Sequence, residues 1–146
     1  KMVEQIKHNN TILGIIIRND YYKEGIEFFT PDDFSQQLGY MNRPKGYVIP
    51  PHVHNLVERK VVLTQEVLYV KSGKIRVDFY DEERNYLESK ILTNGDVVLL
   101  ANAGHGFQML EQSEMIEIKQ GPYCGEMDKI RFEAVPDDQI VIYNNI

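Results

Sequence analysis

The sequence predicts an all-β protein. Its apolar residues come in short β-branched runs, and Asn, Asp and Gly residues typical of turns separate these runs. Several runs alternate apolar with polar residues, the period of a strand that is buried on one face. No long stretch repeats apolar residues every three to four positions, as an amphipathic helix would. Short strands at this density are typical of a β-sandwich or β-barrel.

The predicted strands can be placed along the chain in order. The first is the β-branched run 12–18, which ends at the turn signal Asn19-Asp20. Two later turns are predicted at Ser72-Gly73 and at Asn94-Gly95, and the second is a strong hairpin signal. The remaining predicted strands are residues 26–29, 61–63, 66–71, 75–80, 97–101, 115–119 and 140–143.

One segment favours a helix. Thr30 suits an N-cap, Pro31 suits the first helical position, and Asp33 stands three residues after the cap. We therefore expect at most one short helix, near residues 31–38, although residues 37–41 also fit a strand.

Length and composition indicate one domain that spans residues 1–146. Apolar residues make up 42% of the chain, enough for a core, and 16 basic against 22 acidic residues give a net charge of −6. We expect no nucleic-acid partner, because nucleic-acid binding needs a basic stripe. A single cysteine, Cys124, excludes an internal disulfide and a Cys-rich zinc module.

The chain gives no signal for a membrane or for export. Its longest apolar run, 12–17, is far shorter than the roughly 20 residues of a membrane-spanning helix. Residues 1–10 are polar and lack the apolar core of a signal peptide. We therefore expect a cytoplasmic protein with no membrane partner.

Histidines and one acid carry the strongest chemical signal. His52 and His54 would share one face of an extended strand, and paired imidazoles suit iron, nickel, copper or zinc. Glu66 would share a strand face with Leu68 and Val70, where an unpaired carboxylate is costly. Taken singly, these residues also fit a solvent-exposed histidine pair and a hydrated acid at a strand end.

In combination, these residues resemble the cupin superfamily over about residues 40–120. The matching positions are Gly46, His52, His54, Glu66, Gly73, Gly95, Asp96 and His105. The resemblance implies a single cupin-type double-stranded β-helix, that is, a jelly-roll barrel. It also implies one divalent transition metal, Fe, Ni, Mn or Zn, bound by His52, His54, Glu66 and His105 with positions left open for substrate.

The sequence departs from the family pattern in two places. In the second motif Ala101 stands where the family usually has Pro, His105 comes about one residue early, and Met109 replaces the trailing Asn. The other departure bears on the acidic ligand. The family usually has its acid four or five residues after the second histidine, whereas Glu66 follows His54 by twelve. Glu58 stands at the usual distance, so both acids are candidates for the ligand. We favour Glu66, because Gly73 follows it at the family's spacing.

Further candidates surround the predicted metal site. Arg59, in the segment between His54 and Glu66, would suit a substrate phosphate or carboxylate, or would simply be hydrated. The run 114–119 allows two registers. The favoured register points its isoleucines into the core, whereas the other points Glu117 inward as a general base and Lys119 as an acid or anion anchor.

The resemblance favours a metal-dependent enzyme that acts on a small, anionic or sugar-derived substrate. Isomerase or epimerase chemistry in carbohydrate (surface polysaccharide) metabolism is the leading expectation. The alternatives are an iron-dependent dioxygenase of a small organic acid or thiol, and a sugar-binding cupin without activity. Short cupins commonly pair, so we expect a homodimer, with run 12–17 as either an interface strand or a core strand.

Overall fold

The computed structural model describes residues 2–143 and confirms the all-β prediction. Within this range it contains ten strands and two short 3-10 helices. The strands are β1 (Val3–His8), β2 (Thr11–Ile17), β3 (Gly25–Phe28), β4 (Gly39–Asn42), β5 (Glu66–Ser72), β6 (Lys74–Tyr80), β7 (Tyr86–Thr93), β8 (Val97–Leu100), β9 (Gly104–Met109) and β10 (Glu114–Lys119). The 3-10 helices are η1 (Gly125–Asp128) and η2 (Asp137–Gln139).

The strands form two main antiparallel sheets and a small ribbon. Sheet I has the order β1-β2-β8-β5-β10, sheet II has the order β7-β6-β9, and the ribbon pairs β3 with β4. The described strands do not close into a barrel, because sheets I and II share no strand ladder. The jelly-roll assignment therefore stays a prediction.

The main core lies between sheets I and II. Leu68 and Val70 of β5 face Val77 and Phe79 of β6, and all four side chains are at most 4% exposed. This is the alternation that the sequence predicts for half-buried strands. One end of the space between the sheets is less tightly filled, and the candidate site lies there.

A second core covers the outer face of sheet I. Ile15, Val67 and Leu99 pack against aromatic and aliphatic side chains from residues 29–38. Ile15 and its neighbour Ile16 are both 0% exposed, so β2 is buried on both of its faces within one chain. Of the two interpretations of run 12–17, the core strand is confirmed.

The predicted helix near residues 31–38 does not form. These residues make turns and bends. The side chain of Thr30, which was expected to cap the helix, instead stabilises the loop. The Gln37 side-chain amide donates to the carbonyls of Pro31 and Phe34 at 2.9 Å each. Thr30 Oγ1 accepts from the backbone N–H of Leu38 at 3.2 Å, which fixes the far end of the loop.

Two predicted strands are absent among the described residues. Residues 61–63 belong to an irregular segment, 43–65, that connects β4 to β5. Residues 140–143 make only a single parallel bridge, between Ser89 and Ile142. That bridge nevertheless covers the outer edge of β7, where Ser89 N donates to Val141 O at 2.8 Å.

Candidate active site between the two sheets

A cleft of about 910 Å³ opens at the less filled end of the space between the sheets. Strand residues Glu66, His105 and Lys119 line one side of it, and the chain that follows β10 forms the opposite wall. The cleft is large enough for a small polar molecule and joins bulk solvent, a usual form of small-molecule site.

The chain after β10 is held in place by side chains from the sheets. Tyr80 stacks edge-on against Phe132 with ring centroids 4.9 Å apart, and its hydroxyl oxygen accepts from Val135 N at 3.0 Å. On the other side, Thr64 Oγ1 donates to Asp128. These contacts make residues 125–135 a fixed wall of the cleft.

Strand register brings Glu66 and His105 together from different sheets. Glu66 begins β5 on the face that carries Leu68 and Val70, and His105 lies opposite Phe79 on the inner face of sheet II. The two side chains meet across the gap, with His105 Nε2 donating to Glu66 Oε1 at 2.7 Å. The Glu66 side chain is only 12% exposed, so this pair forms the floor of the cleft.

The register of β10 places two more charged groups next to this pair. Glu117 pairs with Leu68 and Lys119 pairs with Glu66, so both point to the inner face of sheet I; Lys119 lines the cleft, and Glu117 reaches it through its hydrogen bond with Glu66. Ile116 and Ile118 point the other way and are 51% and 54% exposed. The favoured inward orientation of the isoleucines is therefore wrong, and the alternative register is confirmed. The reason is that β10 is an edge strand whose inner face borders water rather than core.

The two carboxyl groups have opposite pKa shifts. The hydrogen bond from His105 lowers the pKa of Glu66 to about 2, against the opposing effect of burial, and Glu117 and Lys119 lower it further. The hydrogen bond with Glu66, together with burial and the Glu66 charge, raises the pKa of Glu117. Glu117 is therefore the more basic of the two carboxyl groups. Two neighbouring carboxyl groups whose pKa values are shifted in opposite directions are suited to acid–base chemistry.

His52 and His54 lie elsewhere, in the exposed segment 43–65. Their rings are 5.2 Å apart and edge-on, and His52 Nδ1 lies 2.9 Å from the Pro50 carbonyl. The strand expected here does not form, since Pro50 and Pro51 have no N–H to give to a ladder. Within residues 2–143, no three His, Cys, Asp or Glu residues are grouped to hold a metal ion. The proposed ligands therefore stand as two separate pairs.

The other predicted residues of this segment lie outside the cleft. Glu58 and Arg59 are exposed and are not among the lining residues. The basic groups that do line the cleft are Lys119, Arg84, Lys129 and Arg131. Sequence reasoning missed the last three, and no motif marks them. Arg84 lies in the loop after β6, and Lys129 and Arg131 lie in the chain after β10. The fold brings these two segments to the cleft.

Comparison of the chain with protein-family models, with curated proteins and with solved structures gave no match. Among the described residues, no helix combines the length and apolar character needed to cross a membrane.

Proposed function

We propose that the protein is a cupin-type enzyme that moves a proton on a small, anionic or sugar-derived substrate, as an isomerase or epimerase does. The observation that supports this most is that Glu66, His105 and Lys119 line an open cleft, with Glu117 hydrogen-bonded to Glu66 beside them. This group contains a carboxyl group with a raised pKa, Glu117, a hydrogen-bonded pair, Glu66 and His105, and a cation, Lys119.

Each group has a role in the proposed reaction. Glu117 would take the proton from the carbon next to a substrate carbonyl and return it to the neighbouring carbon or face. Lys119 would stabilise the negative charge that develops on the carbonyl oxygen. Glu66, held in place by His105, would set the basicity of Glu117 by its charge and hydrogen bond. We therefore assign Glu66 and His105 to positioning in this step.

The cupin resemblance adds one divalent transition metal, Fe, Ni, Mn or Zn, to the proposal. In a single chain the residues do not fit this metal as a set, because His52 and His54 are separate from Glu66 and His105. The proton transfer described above does not pass through a metal.

The proposed function can be tested by deuterium exchange. Aldose and ketose phosphates would be incubated with the protein in D₂O, and NMR would follow deuterium entry next to the carbonyl. Glu117→Gln should slow exchange at least ~100-fold, as removal of a general base does. Glu114→Gln is the matched control, since Glu114 lies on the same strand and bonds Ser72 at 3.0 Å, away from the cleft.

Three outcomes would contradict the proposal. Equal exchange rates for Glu117→Gln and Glu114→Gln would remove Glu117 from the reaction. Saturable binding of a sugar without exchange would indicate the sugar-binding alternative, and substrate-dependent O₂ uptake with Fe²⁺ would indicate the dioxygenase alternative.

A further inference from the structure

We propose that a second cavity, away from the cleft, binds an organic cation that carries a trimethylammonium group. This aromatic cavity measures about 410 Å³ and lies where the start of β1 meets the chain between β2 and β3. Among the described residues, none that lines the aromatic cavity also lines the cleft. The inference therefore goes beyond the proposed reaction and does not depend on it.

The lining of the aromatic cavity combines three aromatic rings with one carboxylate. Its described lining residues are Met2, Val3, Tyr21, Tyr22, Glu27 and Phe29. The face of an aromatic ring carries partial negative charge and attracts a cation that lies over it. A trimethylammonium group suits this lining, because its methyl groups contact the rings while its positive charge is balanced by the carboxylate.

Tyr21 is fixed on three sides, so this wall of the cavity is formed before a ligand binds. Its ring lies edge-on to that of Phe29, with centroids 5.4 Å apart and planes at 85°. On the other side it lies edge-on to Tyr40, with centroids 4.8 Å apart and planes at 90°. Its hydroxyl donates to Glu27 Oε2 at 2.5 Å. Such preorganisation lowers the entropic cost of binding.

The backbone brings these walls together from separate segments. Arg18 N donates to Met2 O at 2.7 Å, and Tyr21 N donates to Arg18 O at 3.0 Å, which places Tyr21 beside the start of β1. Phe29 is held from below, because its side chain packs against the second core and its N–H donates to Leu38 O at 2.9 Å. The cavity therefore rests on the rigid outer face of sheet I.

Glu27 supplies the negative charge of the site. The hydrogen bond from Tyr21 lowers the pKa of Glu27, and the same bond raises the pKa of Tyr21 to about 12. At neutral pH the carboxyl group is therefore ionised and the phenol keeps its proton. Lys23 Nζ lies 3.4 Å from Glu27 Oε2, but this pair is exposed on both sides and is therefore weak. A cation that also contacts the rings can displace it.

Charge recognition can be tested with choline and its neutral isostere 3,3-dimethyl-1-butanol, in which carbon replaces the nitrogen. The ¹⁵N-labelled chain would be titrated with each compound at constant ionic strength and followed by NMR. We expect saturable shifts at Tyr21, Tyr22 and Glu27 with a Kd of about 1 mM for choline. The isostere should bind at least ~10-fold more weakly, because it gains nothing from the carboxylate or from the ring faces.

Glu27→Gln isolates the charge, because the amide keeps the size of the side chain and an oxygen that can accept from Tyr21. It should weaken choline binding at least ~5-fold and leave the isostere unchanged. Glu24→Gln is the matched control, since Glu24 is exposed nearby and lies outside the described lining. This control removes the same charge and should change the affinity less than ~2-fold.

Two further variants test the ring and the competing lysine. Tyr22 is 68% exposed, so Tyr22→Leu should fold normally and weaken choline binding at least ~3-fold. Tyr123→Leu is its control, because Tyr123 is 91% exposed and lies outside the described lining. Lys23→Met should tighten choline binding by about 2- to 4-fold, since it removes the ammonium group that competes for Glu27.

Three results would overturn the proposal: equal affinity for choline and its isostere, no saturable shift up to about 50 mM choline, or equal weakening by Glu27→Gln and Glu24→Gln. A short peptide that carries trimethyllysine identifies the source of the cation. Tighter binding than choline would assign the group to a modified protein chain, and equal or weaker binding would assign it to a small molecule. These measurements are independent of any activity in the cleft.

Discussion

A buried group of charges joins sheet I to sheet II, and Arg18 stands at its centre. Arg18 Nε lies 2.5 Å from Glu4 Oε2 on β1, and its Nη1 lies 3.2 Å from Asp96 Oδ2. The same Nη1 donates to the carbonyl of Ile91 on β7 at 2.6 Å. Replacement of Arg18 by Met would keep much of the side-chain volume and remove all three interactions.

The expected loss of stability follows from how buried the two carboxylates are. The side chains of Glu4 and Asp96 are 5% and 4% exposed, so neither can be rehydrated without local opening. Glu4 would keep Lys90 at 3.4 Å, and Asp96 would keep the N–H of Thr93 at 2.8 Å. Breaking a buried pair costs about 3–5 kcal/mol, and these remaining contacts place Arg18→Met near the lower end, about 3 kcal/mol.

Urea unfolding followed by circular dichroism measures this loss. The midpoint should fall while the slope stays unchanged, because the folded and unfolded surfaces remain similar. Lys23→Met is the control, since its pair with Glu27 at 3.4 Å is exposed on both sides and should contribute less than about 1 kcal/mol. A loss in Arg18→Met no larger than that of the control would refute the argument.

Two further predictions concern the same sheets. Burial alone would raise the pKa of Glu4, but Arg18 and Lys90 lower it below the usual 4.5. Its stabilising contribution is therefore complete above about pH 4.5 and is lost as pH falls through the lowered value, so the wild-type urea midpoint should drop more steeply in acid than that of Arg18→Met. Ile15→Glu should prevent folding, as seen by circular dichroism, because Ile15 is 0% exposed in the second core; a folded monomer would contradict this.

The same buried charges explain why two strands, β1 and β7, were not predicted from the sequence. Strands β5, β6 and β8 follow the apolar patterns that predict them. Strands β1 and β7 do not, since Glu4 and Lys90 occupy buried positions that the pattern assigns to apolar residues. Their burial depends on an ion pair between strands that are far apart in sequence, with Lys90 Nζ 3.4 Å from Glu4 Oε1. No local pattern contains that information.

The candidate site could be predicted only in part for a similar reason. Glu66 is recognisable, because it shares the alternation of β5 with Leu68 and Val70. The orientation of β10 cannot be recognised in this way. Its apolar and charged residues alternate, so the sequence fits equally well whether Glu117 or Ile118 faces the core. Its position at the edge of sheet I decides the matter, and edge position is a property of the whole topology.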